Sequence, residues 1–190
     1  FYRWCERAIE RRYLRPRAIY GYYPCYSHEN ELVVLQPPGH ADAYKPLARF
    51  NFPRQPQGRR LCLSDFFRRK DLAESQGFDV VALTLVTMGD TPSLVGQDLF
   101  AKNRYDDYLH FHGLAVEATE ALAEVTHKRI RSELGLVHAD APLIEQLLGQ
   151  GYQGSRFSFG YPACPRLEDH VPLFQVIGAE RIGIQLSEEY

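Results

Sequence analysis

The run Phe78-Asp79-Val80-Val81-Ala82-Leu83-Thr84-Leu85-Val86-Thr87 is the most strand-like stretch of the chain. It is nearly continuous in apolar and β-branched residues, the pattern of a strand covered on both faces, and it predicts the centre of a sheet. Its longest apolar segment, Val80 to Val86, is broken by Thr84 and is far too short to cross a bilayer. Gly89-Asp90-Thr91-Pro92 turns the chain out of the strand, and a helix is expected from Ser93. A longer helix follows from Asp106 to Leu134, where Phe111, Ala115, Ala118, Leu122 and Val125 recur three and four residues apart as one apolar stripe. Gly135 suits its C-terminal cap.

Upstream of the strong strand, Phe1–Leu14 has helical spacing, and Pro16 is a plausible stop. Six arginines fall in the first seventeen residues, but Glu6 and Glu10 are interleaved among them, the pattern of a solvated helix face. Ala18–Tyr23 and Glu31–Leu35 predict a hairpin, with Pro24 and Ser27–Asn30 supplying its turn. Leu47–Phe52 is a further strand and Pro53–Gly58 an irregular loop; Cys62–Phe67 is a short segment in which Ser64 can cap the turn holding Asp65 and Phe66. Beyond the long helix, Ala141–Leu148 predicts a short helix, and Tyr152–Pro165 is too rich in Gly, Pro and aromatics for regular structure. His170–Ile177 predicts a closing helix and Gly183–Leu186 a closing strand. Early hairpins followed by helices predict an α+β fold with a mostly antiparallel sheet and flanking helices, one domain over residues 1–190.

Composition narrows the function classes. Of 190 residues, 45% are hydrophobic and 24% charged, and Lys plus Arg (22) nearly balances Asp plus Glu (24) for a net charge of −2. A near-neutral chain has no global electrostatic reason to bind nucleic acid, and no segment predicts a membrane span. Phe1 is not an initiator Met and no signal segment follows it, so a piece of a longer polypeptide is expected, with a cytoplasmic setting. Cys5, Cys25, Cys62 and Cys164 lack any C-x-x-C pairing, the usage of small buried thiols in a reducing compartment rather than of zinc or disulfides.

The common enzyme signatures are absent: no G-x-G-x-x-G after a strand, no P-loop, no H-E-x-x-H and no G-x-S-x-G. Asp106-Asp107 at a helix start complements the helix dipole. His110 and His112 are two apart, which on a helix points them away from each other and argues against a shared metal. His127 beside Lys128, Arg129 and Arg131 reads as the basic C-terminal end of the same helix. No catalytic residue and no metal ligand is assigned.

Arg156-Phe157-Ser158-Phe159-Gly160-Tyr161-Pro162-Ala163-Cys164-Pro165 is different in kind. One guanidinium precedes a Gly-Tyr-Pro turn in which Gly160 permits close backbone approach and the prolines restrict the loop. An Arg fork captures a carboxylate, and a Tyr ring makes a flat wall, a pairing suited to an amino-acid-like zwitterion carrying an aromatic group. The same residues also suit an Arg packed over a Pro-rich turn. A third possibility is a thiol enzyme using Cys164, exposed by its flanking prolines, although no His precedes His170 nearby.

The pattern R-x-x-x-G-Y-P-A-C-P at Arg156–Pro165 resembles the signature of the activation domain of cobalamin-dependent methionine synthase. Ala18–Pro24 with Glu31–Val34 resembles the family's first hairpin, and Leu61–Phe66 its Cys-Leu-Ala-Asp-Phe segment. Asp106-Asp107-Tyr108, the Glu120–Arg131 helix and Gly183–Glu188 are similar as well. The resemblance implies a C-shaped α+β domain whose bent antiparallel sheet carries a shallow groove for S-adenosylmethionine. It implies that Arg156 holds the ligand carboxylate, that Gly160, Tyr161, Pro162, Ala163 and Cys164 line the groove, and that Glu120 stands near the ligand's amino group. It places a further Asp upstream of Phe1 and an aromatic pair beyond Tyr190, so the domain is expected to be truncated at both ends. The implied function is reductive reactivation: cob(II)alamin, held by a cobalamin-binding domain of the same polypeptide, is reduced by flavodoxin or a similar reductase and methylated from S-adenosylmethionine. A docking module that meets those partners without binding S-adenosylmethionine is the alternative.

Overall fold

In the computed structural model, residues 1–187 are described, Leu148 by its backbone alone. The elements in chain order are α1 (Tyr2–Glu10), β1 (Arg17–His28), β2 (Glu31–Leu35), β3 (Pro46–Asn51), α2 (Lys70–Gln76), β4 (Asp79–Thr87), α3 (Thr91–Ala101), α4 (Tyr105–Glu133), α5 (Ile144–Leu148) and α6 (His170–Ile177). Short 3-10 turns include Leu63–Phe66, between β3 and α2, and Ala179–Ile182, after α6. The predicted α+β class holds. The four strands form a single antiparallel sheet in the order β3-β2-β1-β4.

The hairpin of β1 and β2 pairs Cys25 with Val34, Tyr26 with Val33, Ser27 with Leu32 and His28 with Glu31. Its two-residue turn needs Glu29 at φ +53, a conformation that costs a non-glycine residue some strain. Pro24 lies inside β1 rather than in the turn, which starts only at Glu29, after His28 ends the strand. β2 then pairs with β3 from Glu31↔Asn51 to Leu35↔Pro46, with an irregularity between Val34 and Leu35.

The expectation that Phe78–Thr87 lies at the centre of the sheet is overturned. β4 is the last strand in the order among the described residues, and Val80 is 46% exposed. The centre is held by β1 and β2: Leu32, Val33, Val34 and Leu35 are all buried, as is Cys25. Tyr20, Tyr22, Tyr23 and Tyr26 hide the central place of β1 in the sequence, because half-buried phenols read as polar positions. Residues 183–186, expected as a strand, are a turn and irregular backbone with Gly183 at φ +77. Glu188, at the end of that stretch, lies outside the described residues.

The chain divides into two compact units. The first comprises Phe1–Ile19, Leu85–Ser155 and Arg181–Ile184. Its core is Trp4 and Ala8 from α1, Leu99 from α3 and Phe111 from α4, with Tyr13, Leu14, Val95, Tyr108 and Leu114 packed around them. The rings of Trp4 and Phe111 lie 5.2 Å apart. α1 stops at Glu10, well before Pro16, because Arg12 turns the backbone at φ +51 and Tyr13 N–H bonds back to the Ala8 carbonyl at 3.0 Å.

On α4 the buried residues are Phe111, Ala123, Thr126, His127, Ile130 and Arg131. Val125, predicted on the apolar stripe, is 67% exposed. A stripe stepped by threes and fours drifts around a helix, and toward the C-terminal end the true inner face carries polar side chains that apolar periodicity does not register.

The second unit comprises Tyr20–Thr84, Arg156–Glu180 and, of the described residues that follow, 185–187. Phe50, Phe52 and Cys62 are buried in it. Tyr23 donates its hydroxyl to the Val176 carbonyl at 3.0 Å, tying β1 to α6. The turn at Leu63–Phe66 is capped by Cys62 and Asp65 instead of Ser64, the Asp65 carboxylate accepting the Cys62 N–H at 2.9 Å. Ser64 is fully buried and donates to the Glu29 carbonyl at 2.8 Å. α2 has no counterpart among the predicted elements. Among the described residues no helix is long and apolar enough to cross a membrane.

Candidate functional site

Residues Arg156–Pro165 lie within the second unit as irregular backbone, as their composition predicts. The segment is ordered by its own hydrogen bonds. Gly160 N–H donates to the Cys164 carbonyl at 2.9 Å, and Cys164 N–H returns to the Tyr161 carbonyl at 2.9 Å. The Cys164 thiol donates to the Ser158 carbonyl at 3.0 Å. A seven-residue loop, Ser158–Cys164, with three such closures has lost most of its freedom before any ligand arrives.

Side chains of the segment face opposite ways. Cys164 is 3% exposed, and the Phe159 ring packs 5.4 Å from Phe50 of β3 and 5.7 Å from His170 of α6. Tyr161 is 67% exposed and Phe157 55%. Pro162 is exposed, Ala163 and Arg156 are half-buried. Two inward anchors therefore hold a turn that displays a tyrosine ring and backbone to solvent. Gly160 is required there on two counts: its φ is +92, and a Cβ would sit 3.1 Å from Leu167 Cδ2.

The electrostatics disfavour a thiolate. Burial pushes the Cys164 thiol up from its ordinary range, and the nearby Asp169 carboxylate pushes it further. Asp169, buried at the start of α6, is itself pushed up by burial, against the lowering effect of Arg166. The flanking prolines do not expose Cys164, so the thiol-enzyme alternative lacks access to its nucleophile. What remains is a guanidinium, a displayed aromatic ring and a glycine cradle, which fit an amino-acid-like zwitterion carrying an aromatic group.

Glu120 stands exposed on α4, in the first unit. Asp107, at the start of α4, is held below the usual carboxylate range by the Trp4 indole N–H and by Arg104. His112 stacks on Tyr108 at 5.6 Å, and no group of three or more His, Cys, Asp or Glu able to hold a metal occurs among the described residues.

His127 and Arg131 differ most from their reading as a solvated basic helix end. They are 8% and 5% exposed. His127 Nε2 lies 2.7 Å from the Gly154 carbonyl, and Arg131 Nε donates to the Gln153 carbonyl at 2.7 Å. The Arg131 guanidinium also pairs with Asp140 through both terminal nitrogens and lies 4.5 Å from the centre of the Tyr152 ring. The available signal was spacing: His127 and Arg131 are four apart, one turn on from the buried Ala123.

Comparison with known proteins agrees with the signature. Residues 3–190 match the family model described as the activation domain of vitamin B12 dependent methionine synthase. The chain is 47% identical over 178 residues to the methionine synthase of Mycobacterium leprae (strain TN), and 46% identical over 182 residues to that of Mycobacterium tuberculosis (strain ATCC 25618 / H37Rv). Each match takes in 90% of this chain but 15% of the relative, so the chain spans about 15% of the length of these proteins. The fold is similar to the crystal structure of the MetH reactivation domain bound to AdoHcy, with a TM-score of 0.82 at 23% identity, over 96% of this chain and 56% of that one. Over residues 3–190 the chain thus belongs to the family of vitamin B12-dependent methionine synthase activation domains.

Proposed function

We propose that this chain is the S-adenosylmethionine-binding reactivation domain of a cobalamin-dependent methionine synthase. The observation that carries the proposal is the construction of Arg156–Pro165, a self-bonded turn that buries Cys164 and Phe159 and turns Tyr161 outward. Arg156 takes the ligand carboxylate through its guanidinium fork, and the Tyr161 ring with the backbone of Gly160–Cys164 forms the wall on which the rest of the ligand lies. When bound, S-adenosylmethionine supplies an activated methyl group for the reductive methylation of cob(II)alamin, which a neighbouring domain holds.

No proton needs to move on this chain during that transfer, since a sulfonium is already a good leaving group. The work of the residues is to bind and orient, and a rigid preformed turn suits it. Burial and Asp169 raise the Cys164 thiol, which disfavours a nucleophilic thiolate in the turn. The cobalamin-binding domain and a flavodoxin-type reductase are the partners that this function requires, and the methyltransferase activity belongs to the assembled protein.

Calorimetric titration with S-adenosylmethionine tests the proposal. Binding is expected, and Arg156→Ala is expected to weaken it by about 1.5–3 kcal/mol, the range for a charge-assisted contact. Unchanged affinity in Arg156→Ala removes that residue from the site. No binding by the chain, alone or within its longer polypeptide, moves the function to a docking module for the cobalamin domain or the reductase.

A further inference from the structure

Gly160 has no side chain, and the space that a Cβ would enter is filled by Leu167, whose Cδ2 would lie 3.1 Å from the added atom. The leucine is thus laid against the backbone of the signature turn. Arg166 and Glu168 on either side of it are exposed charges, yet Leu167 is itself 47% exposed. A single exposed leucine is ordinary on a protein surface. What sets this one apart is how it is held. His170 Nδ1 lies 2.9 Å from the Leu167 carbonyl, and because a carbonyl can only accept, Nδ1 carries the proton. The same imidazole stands edge-on 5.7 Å from the ring of Phe159, the residue before Gly160. Phe159 in turn packs 5.4 Å from Phe50, a buried residue of β3. Leu167 and the turn therefore share one support, and all of these residues belong to the second unit.

Tyr161 follows Gly160 in the chain and is also exposed. A displayed ring and a displayed leucine thus adjoin the same glycine, the ring by the chain and the leucine by contact. Leu167 carries neither a charge nor a hydrogen-bonding group on its side chain, so a ligand gains by covering it only with a neutral, largely apolar part. In S-adenosylmethionine that part is the nucleoside. The zwitterionic end gains instead from a guanidinium.

We propose that Leu167 is a ligand-contacting residue that extends the Tyr161 wall past Gly160 and takes the adenosyl portion of S-adenosylmethionine. This rests on the proposed site, in which Arg156 holds the carboxylate. Two ligands test it by calorimetry: S-adenosylmethionine, and 5′-methylthioadenosine, which keeps the adenosyl thioether and lacks the amino-acid part. Leu167→Ala is expected to weaken both by about fivefold, the value of covering the exposed half of a leucine side chain. Leu167→Asn, close to leucine in volume but polar, is expected to lose as much, and Leu167→Met to bind as the parent does. Arg156→Ala is expected to weaken S-adenosylmethionine and to spare 5′-methylthioadenosine. The denaturant midpoint and the rate of Cys164 labelling by iodoacetamide are expected to stay at their parent values in all three Leu167 variants.

Unchanged affinity in Leu167→Ala would overturn the inference, and so would a loss confined to S-adenosylmethionine. A loss accompanied by faster Cys164 labelling would overturn it in favour of a structural role in the turn. Failure of the parent to bind 5′-methylthioadenosine while it binds S-adenosylmethionine would do so too, since the nucleoside would then contribute nothing of its own. A parent that binds neither ligand, alone or within its longer polypeptide, overturns the site itself and the role of Leu167 with it.

Discussion

The indole N–H of Trp4 donates to the carboxylate of Asp107 at 2.8 Å, joining α1 to the first turn of α4 across 103 positions of sequence. Arg104 reaches the same carboxylate at 3.0 Å and Arg3 at 3.3 Å. One aspartate thus complements the dipole of its own helix, collects two guanidinium groups and orients the ring that packs on Phe111. Asp107→Ala is expected to lower the melting temperature and to shift the emission of Trp4, the sequence's one tryptophan, toward that of a solvated indole. An unchanged Trp4 spectrum would mean that the contact does not orient the ring.

Asp65 ties the loop between β3 and its capped turn. Arg54 holds its two oxygens at 2.7 Å each, and these bonds, with the Cys62 N–H, lower its pKa to about 2 from an ordinary 3.8. Because the folded pKa lies below the unfolded one, its contribution to stability is fully present above the ordinary pKa. It is lost as pH falls from there through the folded value. Asp65→Asn is therefore expected to be less stable than the parent at neutral pH, with the gap closing on acidification toward about pH 2. Denaturant midpoints measured across that range check it, and a gap independent of pH would assign the loss to packing.

Gly160→Ala places a methyl against Leu167 at a backbone angle that L-residues avoid. The expected cost is of order 1–3 kcal/mol of stability. S-adenosylmethionine affinity should fall with it, because the Gly160–Cys164 closure shapes the proposed wall. Gly113→Ala, on α4 with nothing within 4 Å of the added methyl, is the matched control and should be neutral or stabilising. Chemical denaturation beside calorimetry separates the two effects.

Cys164, Cys25 and Cys62 are buried, and Cys5 is half-buried. Burial and Asp169 raise the Cys164 thiol, and burial and Asp79 raise that of Cys25. With native protein at neutral pH, iodoacetamide is expected to modify Cys5 first and Cys164 slowly, as read by peptide mass spectrometry. Fast modification of Cys164 would show that the turn opens in solution.

Much of the architecture is evident along the chain. The hairpin at Ala18–Leu35, the strand at Leu47–Phe52, the helix at His170–Ile177 and the long helix from Asp106 each declare themselves by period and by punctuation. The signature at Arg156–Pro165 is evident too, because a turn that must place Gly, Tyr and Pro at fixed intervals leaves few sequences to satisfy it. The sequence is silent on the seven-residue α2, too short for a period to repeat, and on the buried pair His127 and Arg131, whose polarity mimics a solvated face.

From sequence by itself came the kinds of element, their approximate ends, the family and the residues that make its signature, all properties of local spacing and residue chemistry. Tertiary structure decided which strand is central, that Asp107 serves Trp4, and that His127 and Arg131 face inward to grip Gln153 and Gly154. A period tells which residues share a face but not what covers it. Apolar β4 ends the sheet and Tyr-rich β1 lies within it because strand order follows from pairings between distant segments, which no local pattern encodes.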